Sequence, residues 1–130
     1  MRPVRLGAQR LALGLTVAAA SFPAAALASG PPSPERLQSV VDLAYVLGEA
    51  HAFHRACAGA EDDTWRSRMS RLIQVEDPDP RHRDRLMASF NAGFVAGGAA
   101  FPTCVPATEQ AERKVAEEGR RLSLRLASSP

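Results

Sequence analysis

Cysteine and lysine are almost missing from this 130-residue sequence, with two of the first and one of the second (Lys114). Cys57 and Cys104 are too few and too far apart for a Cys-x-x-Cys metal or redox site, or for the Cys-x-x-Cys-His of haem attachment. The helical zinc pattern His-Glu-x-x-His is also absent. No stretch alternates apolar and polar positions over β-branched residues, so no strand is expected. Beyond Ala28, no apolar run approaches the roughly 20 residues that a membrane-spanning helix needs. No nucleophile stands beside an orienting base at a recognisable spacing, so no hydrolytic triad can be read.

What is present begins with a leader. Arg2, Arg5 and Arg10 precede an apolar, alanine-rich run from Leu11 to Ala28, which closes on Ala26-Leu27-Ala28. That layout reads as a secretory signal peptide over 1–28, cut before Ser29. No cysteine marks the cut, which argues against a lipid anchor, and no twin arginine precedes the apolar core. Export to a periplasm follows, with no membrane span left after cleavage.

Losing the leader changes the charge. The whole chain has 16 basic and 14 acidic side chains. Without its three arginines the remainder has 13 against 14, a net of −1. No global positive field remains to draw in nucleic acid. An even cysteine count in a small exported domain is expected to form one disulfide. Joining Cys57 to Cys104 closes a loop that stabilises the fold by about 4 kcal/mol on chain entropy.

Residues 29–32 read as a linker, 33–127 as a single helical domain and 128–130 as a tail. Ser33-Pro34-Glu35 has the cap, first-turn proline and acid of a helix start. That first helix is expected to run to about Ala58 and to stop at Gly59. Apolar residues cover it except along Gln38, Asp42 and Glu49, which marks it as central. A second helix starts near Asp62 or Asp63, with Trp65, Met69, Leu72 and Ile73 in line. Asp77-Pro78-Asp79-Pro80 ends it and caps a third. The third carries Leu86, Met87, Phe90 and Phe94 on one side, beside Gly93 and Gly97, which permit close approach. A fourth starts near Thr108 with the stripe Ala111, Val115, Gly119, Leu122 and Leu126. Glu109 with Arg113 and Glu117 with Arg121 are favourable i,i+4 pairs on its charged face. The fold class expected is all-α, a small four-helix bundle-like domain stapled by one disulfide.

Polar residues on apolar lines are the natural candidates for a site. His51 falls on the apolar face of the first helix. Glu76 extends the Trp65–Ile73 line, and Arg83 precedes Leu86 on the third helix. A Glu76–Arg83 salt bridge across the tight connection, joined by His51, is expected because buried charge needs a partner. Asn91 has no capping role and is expected to hydrogen-bond across the bundle. Glu49 and His51 point about 160° apart on a helix of 3.6 residues per turn, so they cannot chelate together. His51 and His54, at i,i+3, can share an ion, but the spacing implies no third ligand.

In combination, several segments resemble a family of small secreted alphaproteobacterial proteins of unknown function. They are Leu43-Ala44-Tyr45-Val46-Leu47-Gly48-Glu49-Ala50-His51, Cys57, Trp65-Arg66 with Met69 and Glu76, Phe90-Asn91-Ala92-Gly93-Phe94, and Phe101-Pro102-Thr103-Cys104. The similarity spans about 37–127. It implies an envelope protein of a Gram-negative cell and no particular activity. It makes Gly48, Glu49, His51, Trp65, Arg66, Glu76, Asn91 and Gly93 a family pattern, to which His54 does not belong. The candidate polar site is thus Glu49, His51, Trp65, Arg66, Glu76, Arg83 and Asn91, with no metal and no cofactor. The leading expectation is a non-enzymatic binding protein whose partner is an envelope protein or a cell-wall fragment. The alternatives are a small enzyme on an envelope polymer, with Glu76 or Glu49 as acid–base and His51 assisting, and a metal or small-ligand binder using His51 and His54.

Overall fold

Capping chemistry sets the helix boundaries. In the computed structural model, which describes residues 30–129, α1 is Pro34–Ala58, α2 Thr64–Glu76, α3 Pro80–Ala100 and α4 Pro106–Ser128. The leader read from the sequence lies outside the described residues. The Ser33 hydroxyl accepts from the Arg36 N–H at 3.1 Å and Pro34 opens α1. Gly59, at φ 107°, ends it in backbone space that other residues avoid. Asp77 is left-handed (φ 41°) and closes α2 through its N–H on the Ile73 carbonyl. Two residues on, the Asp79 carboxylate accepts from the His82 N–H and Pro80 begins α3. The four residues 77–80 therefore both stop one helix and start the next.

Two boundaries differ from the sequence reading. Helix α4 starts at Pro106, because the Thr108 hydroxyl accepts from the Val105 N–H at 3.1 Å and donates to the Thr103 carbonyl at 2.9 Å. Thr108 is thus a buried clasp inside the first turn. The helix also takes in Ser128, which the sequence placed in the tail.

Helices α2, α3 and α4 each pack chiefly on α1 rather than on one another. The direction of each follows from its side-chain contacts. Trp65 lies at the His54 end of α1 and Glu76 at the Arg36 end, so α2 runs antiparallel to it. Arg85 meets Gln38, the Ser89 hydroxyl donates to the Val41 carbonyl and Phe101 meets Phe53, so α3 runs parallel. Glu112 meets His54 and the Leu126 carbonyl meets Arg36, so α4 runs antiparallel. This is an up-down-up-down arrangement with α1 as the hub, as its nearly all-round apolar surface requires. Val40, Leu43, Ala44 and Leu47 of α1 join Met69, Ile73, Leu86, Phe90, Leu122 and Leu126 in one core. Met87, expected on the apolar side of α3, is 39% exposed. The α3 face that meets α1 is narrower than the apolar line. Among the described residues, no helix is long and apolar enough to cross a membrane.

The α1–α3 contact is made by backbone. A Cβ placed on Gly48 would sit 2.0 Å from the Phe90 carbonyl oxygen, and one on Gly93 would sit 2.0 Å from that of Tyr45. Gly97 is nearly as tight, 2.9 Å from the Ala52 Cβ. Cys57 and Cys104 are disulfide-bonded, tying the end of α1 to the loop before α4. The charged face of α4 pairs one residue closer than expected. Arg120 binds Glu117 at 2.8 Å and Arg121 binds Glu118, both i,i+3. Glu109 and Arg113 make no such pair.

These contacts set a prediction. Gly48→Ala or Gly93→Ala forces two helix backbones apart and should cost more than about 3 kcal/mol, beyond ordinary overpacking. Gly98→Ala, one turn away with open space at its Cβ, should instead stabilise by about 0.5–1 kcal/mol through helix propensity. Urea midpoints of the three variants check this; similar behaviour of Gly93→Ala and Gly98→Ala would refute the backbone contact.

Candidate functional site

The expected cluster of Glu76, Arg83 and His51 does not form. Glu76 is held by Arg36, whose Nη2 donates to both carboxylate oxygens at 3.0 and 3.2 Å, while Nη1 donates to the Leu126 carbonyl at 2.9 Å. One guanidinium thus closes the ends of α1, α2 and α4 together. Arg83 is exposed and has no salt bridge among the described residues. The turn at 77–80 leaves Arg83 on the solvent side of α3. Asn91 is exposed and makes no bond across the bundle, and Arg66 is exposed as well. Glu49 lies half-buried without a hydrogen-bond partner, and burial raises its carboxyl above the ordinary value.

His51 lies elsewhere, sealed in the α1–α3 interface. It is 1% exposed, and its ring lies 5.8 Å from Phe90 and 5.2 Å from Phe94 between centroids. Neither ring nitrogen has a hydrogen-bond partner. Desolvation first, then the nearby charges of Arg55 and Arg66, lowers its pKa below the ordinary 6.5. His51 is therefore a neutral ring packed as an aromatic, out of reach of any substrate and not aimed at Glu76.

The polar groups that do converge are at the opposite end from Arg36, at the head of the bundle beside the disulfide. His54 Nδ1 lies 2.7 Å from Glu112 Oε1. The Trp65 indole N–H donates to the same oxygen at 3.1 Å. His54 Nε2 lies 3.4 Å from Asp62 Oδ1, which also accepts from the Thr64 N–H at 3.0 Å. The bonds from Thr64, its backbone N–H first, and after them His54, lower the Asp62 pKa against the opposing effect of burial. The ring lies between the two carboxylates, one at each nitrogen, so His54 bridges α4 to the α1–α2 turn. Trp65 is pinned from the other side by Arg68, whose guanidinium lies 4.7 Å from the indole centroid. Beside this network is a cleft of about 550 Å³, lined by His54, Cys57, Glu109, Glu112 and Arg113.

Of the candidate polar site Glu49, His51, Trp65, Arg66, Glu76, Arg83 and Asn91, only Trp65 belongs to this network; His54, expected only as an alternative ligand beside His51, is at its centre. Reading the sequence misses Glu112, because α4 offers many acids on its charged faces and nothing local marks which one meets a histidine 58 residues away. Asp62 is legible only as a capping candidate. His54 is legible as a possible ligand, yet its two nitrogens face separate carboxylates on opposite sides of the ring and do not chelate with His51. Cys57, Cys104 and Glu109 bring donor atoms close together, but both sulfurs are in the disulfide and offer no thiolate. Chemically, the head is suited to hold a polar group. Its carboxylates, imidazole and indole N–H satisfy one another and are fixed by three helices.

Two outcomes test this. Glu112→Ala strips the acceptor from both His54 and Trp65 and should cost about 1–3 kcal/mol, with a shift in the emission of Trp65, the sole tryptophan. An unchanged spectrum and urea midpoint would remove the network. For His51, the unfolded chain takes up a proton below about pH 6.5 that the folded site resists. Stability is therefore full above that pH and falls as pH drops toward the lower folded value. His51→Leu should match the parent or exceed it at pH 7.5 and flatten this acid loss; parallel urea–pH profiles would contradict it.

A family model described as protein of unknown function, DUF2385, matches residues 37–129. No curated protein and no solved structure matches the chain. The match covers α2, α3, all of α4 and α1 from Leu37 onward, including both cysteines and every residue of the head network, so the chain belongs to the DUF2385 family.

Proposed function

We propose that this is an exported, non-catalytic protein of the bacterial envelope that binds a partner protein or a cell-wall fragment through the head cleft. The observation that carries the reading is how the reactive side chains are used. Glu76 is locked by Arg36 at the far end of the bundle, and His51 is sealed between phenylalanines. Glu49 stands apart from both. The open polar surface is instead the cleft of His54, Glu109, Glu112 and Arg113. His54 and Glu112 are bonded to each other, while Glu109 and Arg113 have no ion-pair partner among the described residues and are left to meet a polar partner, which suits recognition better than turnover. The disulfide fits an oxidising compartment, and the first 28 residues have the composition of an export leader.

The test uses the full-length chain. In cell fractions of a Gram-negative host, mass spectrometry should find a mature form beginning at Ser29 with no free thiol, in the periplasm. Cross-linking there should capture a partner that is lost when the cleft rim is reversed with Glu109→Lys and Arg113→Glu. An uncut N-terminus in the cytosol, two free thiols, or turnover of a wall polymer by the purified protein would each reject the proposal.

A further inference from the structure

Helices α2 and α4 lie side by side on α1, yet they are joined only at their ends. At the head, Trp65 donates to Glu112; at the other end, Arg36 holds both Glu76 and the Leu126 carbonyl. Between these clasps α4 presents Gly119 to α1 and Ser123 to the space beside α2. Gly119 lets α4 settle onto Val46, and the Ser123 hydroxyl is folded back onto the Gly119 carbonyl at 2.8 Å. The helices therefore leave a slot of about 230 Å³. Its floor is Leu43 and Leu47, members of the central core. Leu72 forms the wall, and Val75 forms a lip that is 69% exposed.

The rim is cationic. Arg68 and Arg71 line the slot, and neither has a salt bridge or hydrogen bond among the described residues. No acid lines it, and the nearby Glu76 is already taken by Arg36. An apolar trench that reaches core leucines, under two unpaired guanidiniums, matches one ligand chemistry. It is an aliphatic chain that ends in an anion. A guanidinium presents a planar fork of N–H donors that fits a carboxylate through two bonds, while the stems of both arginines can cover the chain. Size narrows the class. The slot is smaller than the roughly 300–1,000 Å³ of sites that enclose a drug-sized ligand. From Arg68 to Val75 it extends about 10 Å at 1.5 Å per residue. That length accommodates one unbranched chain of medium length.

We propose that the α2–α4 slot binds a single medium-chain carboxylate, with its chain on Leu43 and Leu47 and its head between Arg68 and Arg71. The site is separate from the head cleft and does not depend on the function proposed for it.

Trp65 supplies the readout, because Arg68 stacks on its ring. The oxidised mature protein is titrated with decanoate below its micellar range, and in parallel with decyltrimethylammonium and decanol, following Trp65 emission and the heat of binding. Decanoate should bind saturably at one per chain, at least tenfold tighter than either control. Arg71→Gln and Val75→Asp should each weaken it at least tenfold by calorimetry and leave the urea midpoint within error of the parent. Equal binding of the three amphiphiles, a non-saturating response, or unchanged affinity in Arg71→Gln overturns the proposal. So does a dimer, seen by sedimentation without ligand and abolished by Val75→Asp, which would make a second copy the occupant.

Discussion

Two helix backbones in direct contact set the rest of this molecule. Gly48 and Gly93 each lie against a carbonyl of the other helix, so α1 and α3 meet with no side chain between them. Helix pairs normally stand 8–10 Å apart, at a separation set by the side chains at the contact. Where there are none, the axes close up, and everything beside the contact is compressed with them. Residues on the contact faces of the two helices are buried deeply. Leu86 and Phe90 reach the core, and His51 is pressed between Phe90 and Phe94. A histidine with two unpartnered nitrogens is an expensive core residue. Here it serves as a flat ring in a gap fixed by the backbone.

With α3 placed so tightly on one side of α1, the other side is left to α2 and α4, and their attachment is of a different kind. Apolar contact holds them to α1, but polar clasps at the two ends hold them in register. Arg36 gathers a carboxylate from α2 and the Leu126 carbonyl from the last turn of α4, which also accepts from the Ser129 N–H. The Glu112 carboxylate collects an indole and an imidazole at the other end, close to the disulfide. These partly buried, charge-assisted bonds contribute more than the exposed pairs of α4, such as Arg120–Glu117, whose net worth is near the low end for ion pairs. Rigid ends with an open middle are what give the protein both a polar head cleft and an apolar slot.

Helix placement was readable from local chemistry. Ser33-Pro34, Gly59, Asp79-Pro80 and the apolar period of each segment act within a few residues, and a one-dimensional reading captures them. The glycines at 93 and 97 could be recognised as permitting close approach, since nothing else excuses glycine inside a helix. The polar pairing was not readable. Glu76 had an arginine seven residues ahead in Arg83 and chose one 40 residues behind in Arg36. On α4, arginines 120 and 121 took partners at i−3, although i−4 spacing was open to Arg121.

The sequence by itself determined four helices, the caps of α1 and α3, the central role of α1 and the pairing of the only two cysteines, because each rests on local propensity, on periodicity or on elimination. Tertiary structure alone decided that His51 is sealed, that Arg83 and Asn91 face solvent, and that His54, Trp65, Asp62 and Glu112 converge. The physical reason is that a helix fixes only the angular spacing of its own side chains. Which face meets which depends on the rotation and separation of packed helices, and in this fold two glycines set both.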